Sequence, residues 1–218
     1  MIKKLIYGII CFSIFLTLVG CSSDNKDSTS TNDNTSSETE NQNETKDISL
    51  MSYDEAKEYL NTLSETDASV FEYTTNEMAD GECAISGYSG TNQILVIPEM
   101  IDGLKVTKLS SWLFANNEDM IAVKLPNSIK TIESNVFVNC DNILYITGLE
   151  NVEYLGEGSF FCKSLKYLEF GDSVKEAEDG IIIYGDNITL RLKKDSYLAD
   201  IGNKTWYRDG HGVTVELY

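Results

Sequence analysis

The sequence is poor in basic residues, histidine and proline. Its 218 residues include 17 lysines and arginines against 35 aspartates and glutamates, with one histidine and two prolines, and the formal net charge is −18. Residues 22–47 carry −5 of that charge and residues 48–218 carry −15. A chain this acidic repels nucleic acid and anionic lipid headgroups. We therefore exclude nucleic acid as a partner and a polybasic mode of membrane binding.

The sequence also lacks a recognisable catalytic or metal-binding group. Its one histidine, His211, lies in an Asp-Gly-His-Gly stretch that indicates a turn, and no serine or cysteine can be paired with a general base. No spacing matches a zinc or calcium motif. The acids Glu176, Glu178, Asp179 and Asp186 could attract calcium, but a solvated loop explains them more simply. We expect a protein that is not an enzyme and that needs no cofactor and no metal.

The first 21 residues have the pattern of a bacterial export signal. Lys3 and Lys4 precede an apolar stretch at 5–18 that is shorter than a membrane-spanning helix, and Leu-Val-Gly-Cys follows at 18–21. Those four residues resemble the lipobox of bacterial lipoproteins, which implies that Cys21 takes a diacylglycerol and becomes the mature N-terminus. An uncleaved anchor helix is the alternative. Lipidation would hold the protein on the extracellular side of the bacterial membrane.

Residues 22–47 contain no apolar residue. Such a segment cannot bury enough surface to offset its ordering entropy, so we expect a disordered tether. As a flexible coil it would have a root-mean-square reach of about 25–30 Å. Its composition resembles the spacers of Gram-positive lipoproteins, which implies a Gram-positive cell surface.

From 94 to 192 one apolar pattern returns four times, at a spacing of 22 or 23 residues. Each copy has two short apolar clusters, and in the third copy Leu168 and Phe170 alternate with Tyr167 and Glu169, which is the period of a β-strand. A coil this short cannot bury its apolar side alone, so the copies must stack. The pattern predicts a mainly β solenoid of about four coils, with short helices and parallel strand ladders.

The repeats resemble a known family. Their steps are similar to those of BspA-type leucine-rich repeats of bacterial surface proteins: Ile-Leu-Val-Ile-Pro at 94–98, Gly-Leu-Lys-Val-Thr-Lys-Leu at 103–109 and Val-Phe-Val-Asn-Cys at 136–140. The resemblance covers roughly residues 83–192 and departs most at 180–184, in the fourth copy. It implies a leucine-rich repeat solenoid that adheres to host matrix proteins, host cells or other bacteria.

The segments that flank the repeats predict caps. Ser52 and Glu55 form a capping box at the start of an amphipathic helix that ends near Ser64, and two short strands follow it. We expect residues 48–93 to form an α/β cap over the N-terminal end of the stack, because the terminal core of a solenoid needs cover. Residues 193–218 should form a C-terminal cap whose last strand seals the open end.

Three cysteines lie in the predicted folded region: Cys83, Cys140 and Cys162. An odd number excludes a closed disulfide framework within one chain. Cys140 and Cys162 hold nearly equivalent positions in adjacent copies, close enough to bond in principle. Parallel side chains in a ladder seldom reach the disulfide dihedral angle, so we favour two reduced thiols that pack in the core.

The best candidate for a binding site is the outward face of the strand ladder predicted for residues 120–125, 143–148, 165–170 and 187–192. One column of this face holds Tyr145 and Tyr167, and the neighbouring column holds Lys124, Glu169 and Arg191. Exposed aromatic rings beside mixed charges are frequent on protein- and sugar-binding surfaces. The same residue types also stabilise neighbouring strands without any ligand, and that alternative stays open.

Together these patterns predict a lipid-anchored bacterial cell-surface protein whose repeat domain binds a protein or glycan at a host or bacterial surface. One alternative is a scaffold lipoprotein that holds a partner enzyme or transporter at the membrane. Another is a protein that delivers a soluble ligand to an importer. That role requires a deep apolar pocket, which a solidly packed solenoid does not have.

Overall fold

Two ladders of short strands run along the stack and share one apolar core. The structure is a computed structural model that describes residues 47–183, 187–201, 207–208 and 212–218. The predicted signal peptide with Cys21, the tether up to residue 46, and both Asp186 and His211 lie outside the described residues. None of the helices in the described ranges has the length and hydrophobicity needed to cross a bilayer.

Short strands dominate the described part of the chain. The helices are α1 (Tyr53–Thr62) and α2 (Tyr197–Ile201), with single 3-10 turns at Ile48–Leu50 and Ala68–Val70. The strands are β1 (Phe71–Thr74), β2 (Glu82–Tyr88), β3 (Ile94–Val96), β4 (Met100–Ile101), β5 (Leu104–Leu109), β6 (Ala122–Lys124), β7 (Thr131–Ile132), β8 (Tyr145–Thr147), β9 (Tyr154–Leu155), β10 (Tyr167–Phe170), β11 (Glu176–Ala177), β12 (Ile182–Ile183), β13 (Thr189–Leu192), β14 (Tyr207–Arg208) and β15 (Thr214–Leu217).

The strands form two large sheets, named here sheet A and sheet B. Sheet A has the order β1-β2-β5-β7-β9-β11, with β4 paired to β5. Its β1–β2 hairpin is antiparallel, and β2 pairs in parallel with β5, which begins the parallel ladder β5-β7-β9-β11. Sheet B has the order β3-β6-β8-β10-β13-β15 and is parallel throughout. The prediction of a mainly β solenoid with parallel ladders is confirmed.

The last strand, β15, adds a rung to sheet B beyond the four predicted coils. Val215 and Leu217 pair in register with Leu190 and Leu192. Leu190 and Leu192 are buried, whereas Val215 is 36% and Leu217 is 57% exposed. The C-terminal segment therefore joins the ladder as the predicted last strand and leaves these two apolar side chains in contact with solvent.

The turns between the sheets stack one phenylalanine from each of the first three coils. The Phe114 and Phe137 ring centroids lie 5.2 Å apart, and those of Phe137 and Phe160 lie 6.1 Å apart, with planes 16° and 13° from parallel. All three rings are buried. Tyr88 and Phe170 close the stack with edge-on contacts. The repeat spacing thus produces a continuous aromatic core.

The fourth coil departs from the others where its sequence does. Ile182 takes the place that phenylalanine holds in the earlier coils, and it is buried. Instead of a turn, this segment forms β12, which pairs in parallel with β14. The β-branched residues at 181–183 favour an extended backbone, which explains the replacement.

The three cysteines of the folded region are free and buried. The Cys140 thiol donates to the Phe114 carbonyl at 2.9 Å, and the Cys162 thiol donates to the Phe137 carbonyl at 3.2 Å. Burial raises the pKa of Cys140 to about 11 and also raises that of Cys162, so both thiols stay protonated at neutral pH. Each thiol satisfies a carbonyl of the preceding coil, in agreement with the reduced pair favoured above.

Phe137→Ala should destabilise the protein by about 3–5 kcal/mol, because it removes a fully buried ring that two neighbouring rings contact. Urea unfolding followed by circular dichroism measures the change. Tyr197→Ala, at a partly exposed position, is the control and should cost far less. Equal losses in the two variants would contradict the stabilising role of the aromatic stack.

Candidate functional site

Helix α1 lies across the outer face of sheet B, over the columns of residues that were predicted to bind a ligand. Its buried side chains Ala56 and Leu60 form one apolar cluster with Ala122 of β6 and Tyr145 of β8. The helix therefore covers a face of the stack and not its N-terminal end, where it was predicted. Amphipathic spacing shows that one side of a helix is buried, but it does not identify the surface that buries it.

Local sequence determines where this helix begins. The Ser52 side chain accepts a hydrogen bond from the Glu55 amide, and the Glu55 carboxylate accepts one from the Ser52 amide at 2.9 Å. This is the predicted capping box. Tyr53, Ala56 and Leu60 then recur at helical spacing and are buried. The capping box and the apolar spacing together hold one side of α1 against the sheet.

The two predicted binding tyrosines contact α1 or the segment that leads into it. Tyr145 is 2% exposed, and its hydroxyl donates to the Met51 carbonyl. The half-buried Tyr167 stacks on Tyr53, with ring centroids 5.0 Å apart and planes 20° from parallel. The expectation of two exposed rings is therefore wrong for Tyr145, because the helix and its lead-in cover it.

Charged side chains complete the contact between the helix and sheet B. Lys57 Nζ lies 2.6 Å from a Glu150 oxygen and 3.1 Å from a Glu169 oxygen. Arg191 lies 3.4 Å from Asp54 on the helix and 3.8 Å from Glu169. A lysine of the helix and an arginine of the sheet thus share the Glu169 carboxylate. Because apolar contact is not directional, these pairs set the position of the helix along the face.

Beside the first turn of α1 the face stays open as a groove of about 520 Å³. Its lining includes the rings of Tyr145 and Tyr167 and the polar side chains of Lys166, Thr189 and Arg191. The Lys166 ammonium lies 5.8 Å from the centre of the Tyr145 ring. Aromatic and polar walls of this kind suit a polar chain, such as a peptide or a glycan.

The structure brings four of the five predicted binding residues together. Tyr145, Tyr167, Glu169 and Arg191 contact the helix, its lead-in or the groove. Lys124 lies on β6, two strands away from Glu169 on β10, and does not line the groove. The ligand-binding role of the five residues stays a prediction, and for Tyr145 it requires the helix to move.

Two helix residues that match this face were not predicted from the sequence. Tyr53 and Lys57 are one helical turn apart, and Tyr167 and Glu169 are two residues apart on the same side of a strand. The aromatic residues therefore face each other, and so do the opposite charges. The spacing of Tyr53 and Lys57 on the helix matches that of Tyr167 and Glu169 on the strand, and this match could have predicted the contact from the sequence.

The outer face of sheet A carries side chains that pair with one another. Glu153 forms ion pairs with Lys130 and Lys175, which lower the pKa of the Glu153 carboxyl. The Glu178 carboxylate accepts hydrogen bonds from the Glu157 amide at 2.7 Å and the Tyr154 hydroxyl at 2.8 Å. Within the described ranges, no group of three or more His, Cys, Asp or Glu side chains is placed to hold a metal ion.

The turn that follows β5 carries an exposed tryptophan with an unusual backbone conformation. Trp112 is 60% exposed and has φ of 65°. The equivalent residues of the next coils are Asn135, Gly158 and Gly180, with φ of 60°, 64° and 71°. The left-handed region costs a residue with a Cβ atom about 1–2 kcal/mol, a cost that glycine avoids and asparagine reduces. The repeat thus imposes on Trp112 a conformation that the other coils assign to Asn or Gly.

The repeats match a described protein family. The model for the BspA type leucine rich repeat region matches residues 93–208 in six copies, which is more than half of the chain. The chain belongs to the BspA-type leucine-rich repeat family. This confirms the resemblance drawn from the sequence. A BspA-type chain is a leucine-rich repeat protein of the bacterial type, a class whose role is generally to bind other proteins.

Solved bacterial leucine-rich repeat structures resemble this BspA-type chain. A T. pallidum leucine-rich repeat protein is 23% identical over 59% of this chain and 72% of its own, with a TM-score of 0.45. A Bacteroides capillosus protein is 17% identical over 71% and 99%, with a TM-score of 0.48. A Faecalibacterium prausnitzii leucine rich cell surface protein is 18% identical over 62% and 46%, with a TM-score of 0.47. A search of curated proteins found no match.

The contact between α1 and sheet B should weaken in alkali. Burial, followed by the charges of Glu169 and Glu150, raises the pKa of Tyr53, because a phenolate there would lose water beside anions. The folded state therefore holds the phenolic proton more tightly than the unfolded state does. The resulting stability is present below pH about 10, the pKa of an unfolded tyrosine, and is lost as the pH rises further.

Urea unfolding between pH 8 and 11 tests this prediction. The free energy of unfolding should fall above pH about 10, and it should fall less in Tyr53→Phe, which has no phenolic proton to lose. Tyr197→Phe, at a partly exposed position, is the matched control. A Tyr53→Phe protein with the same pH dependence as the wild type would contradict the assignment.

Proposed function

We propose that this protein is a lipid-anchored bacterial cell-surface protein whose leucine-rich repeat domain binds a protein or glycan of a host or of another bacterial cell. It has no catalysis of its own. The groove between the first turn of α1 and sheet B is the binding site. The observation that carries the proposal is the combination of tyrosine rings, cations, carboxylates and hydroxyls that line this groove.

The order of the groove's side chains before any ligand arrives supports this proposal. Tyr167 is fixed by its stack on Tyr53, and Arg191 by neighbouring carboxylates. Binding to side chains that are already ordered loses little conformational entropy. The exposed part of the Tyr167 ring offers apolar area, and the adjacent polar groups orient the ligand.

The anchor supplies the location in this proposal. Lipidation of Cys21 holds the chain at the outer side of the membrane, and the polar segment at 22–47 separates the repeats from the lipid. The solenoid would then present its groove to molecules outside the cell.

A binding screen with full-length protein in detergent micelles tests the groove. The probes are matrix proteins, glycans and a membrane extract of the producing bacterium. Thr189→Arg should obstruct the groove and Lys166→Glu should reverse one of its charges, so each should weaken binding about tenfold. Lys105→Glu, an exposed position on β5, makes the same charge change on the other sheet and should bind normally.

Three outcomes separate the possible roles. Loss of host or glycan binding in both groove variants, with binding retained in Lys105→Glu, supports the adhesion role. Capture of only a membrane protein of the same bacterium would overturn adhesion and favour a scaffold that holds a partner at the membrane. Unchanged binding in both groove variants would exclude the groove as the site.

Cys21→Ser should abolish lipidation and release the protein from the cell surface, because no acyl chain remains to hold it. Incorporation of a labelled fatty acid and the protein's partition between membrane and medium measure the two effects. Cys11→Ser changes the other cysteine of the leader and should leave both unchanged. Normal fatty-acid incorporation in Cys21→Ser would contradict the assigned lipidation site.

A further inference from the structure

Sheet B separates the apolar side chains of α1 from the main core of the solenoid. The cluster beneath the helix consists of side chains from residues 48–60 and of Ala122 and Tyr145 on the outer face of the sheet. The larger cluster fills the stack, and none of residues 47–63, all of which the structure describes, belongs to it. Tyr145 and its neighbour Ile146 lie in different clusters because successive side chains of a strand point to opposite faces. The solenoid core is therefore complete without α1.

The other contacts that hold the helix are partly open to water. In the ion pairs that join α1 to the sheet, the Lys57 side chain is 30% exposed and the Asp54 side chain is 80% exposed. Charges in contact with water attract one another weakly, and salt screens them. A helix of ten residues is also too short to be stable alone in water, so α1 stays ordered only while it is seated on the sheet.

The chain that follows α1 is attached to the stack by contacts of its own. The Thr66 amide donates to the Val96 carbonyl at 2.8 Å, and the Val96 amide donates to the Thr66 hydroxyl at 3.2 Å. The Glu65 carboxylate accepts a hydrogen bond from the Glu99 amide at 3.0 Å. These bonds hold the chain in place from residue 65 onward. Residues 63–64, between them and the end of the helix, form a hinge about which α1 can turn.

We propose that α1 is a releasable strap over the outer face of sheet B. Residues 47–63 leave the sheet as one unit while the solenoid stays folded, and then return. The seated strap buries Ala122 and Tyr145, and the released strap exposes them together with the ring face of Tyr167 that stacks on Tyr53. A ligand that contacts the Tyr145 ring therefore binds only to the released form.

The strap regulates the binding site, and this regulation rests on the function proposed above. The apparent affinity of such a ligand is its intrinsic affinity multiplied by the fraction of molecules with a released strap, so a change that raises this small fraction raises the affinity by the same factor. The release itself needs no ligand and can be measured without one.

Thiol labelling of the full-length Ala122→Cys protein in zwitterionic detergent tests the release. Iodoacetamide is the probe, and mass spectrometry of the digested protein gives the labelling rate of each thiol. Cys140 and Cys162 of the same molecule are the controls, because they are buried in the solenoid core and react only when the solenoid unfolds. The new thiol should react at least about a hundredfold faster than Cys140. Added salt should raise its rate further.

Two further variants, each in the Ala122→Cys protein, separate the strap from the solenoid. Lys57→Gln removes the ion pairs with Glu150 and Glu169, so it should raise the labelling rate of the new thiol several fold and leave that of Cys140 unchanged. Leu168→Ala removes a buried side chain of the solenoid core, so it should raise the rate of Cys140 and leave that of the new thiol unchanged.

Hydrogen exchange of the wild-type protein tests the release without a substitution beneath the helix. The hydrogen-bonded amides of α1 should exchange at least about a hundredfold faster than those of Ile146 and Leu168 in sheet B. If all thiols of the Ala122→Cys protein react together because that variant does not fold, the exchange of the wild-type protein decides the question.

Three results would each overturn the proposal. These are equal labelling of the new thiol and Cys140 in a folded variant, equal exchange of α1 and sheet B, and an equal rise at both thiols in Lys57→Gln. In each case the helix would leave the sheet only when the whole protein unfolds. A failed binding screen beside an observed release would instead overturn the proposed function and leave the strap in place.

Discussion

Stacking of each coil on its neighbours is the interaction on which the rest of the structure depends. Many strands of the two sheets are only two to four residues long and gain their stability from hydrogen bonds to the coils on either side. The neighbouring coils fix both the burial and the backbone conformation of the residues that occupy equivalent positions in the stack. The similar positive φ at Trp112, Asn135, Gly158 and Gly180 shows that the column determines the conformation even where the residue types differ.

The same constraint explains how much of the fold could be predicted from the sequence. A fixed period means that the contacts of one coil recur in the next, so a short pattern such as Leu168 and Phe170 against Tyr167 and Glu169 defines the inside and the outside of a whole sheet. The capping box at Ser52 and Glu55 was equally predictable, because it depends on residues three apart. Local and periodic features were therefore predicted correctly.

The position of α1 could not be predicted in the same way. The helix depends on contacts between residues far apart in the chain, such as Lys57 and Glu169, which are separated by 112 positions. No period relates those residues, and amphipathic spacing gives only the side of the helix that is buried. The groove depends on where the helix lies, so its shape could not be predicted either. Three of its lining residues, Tyr145, Tyr167 and Arg191, were nevertheless predicted, because they belong to the repeating columns.

The composition of the two outer faces explains why the helix covers sheet B and leaves sheet A in water. Outward side chains on sheet B include Ala122, Tyr145 and Tyr167, and burial of their apolar area stabilises the fold. On sheet A, Lys130 and Glu153 pair with each other and stay hydrated. A tyrosine-rich face attracts a helix of its own chain by the same physics that would attract a ligand. A ligand of this face must therefore bind beside α1, where the groove stays open, or compete with the stacking of Tyr53 and the ion pairs of Lys57.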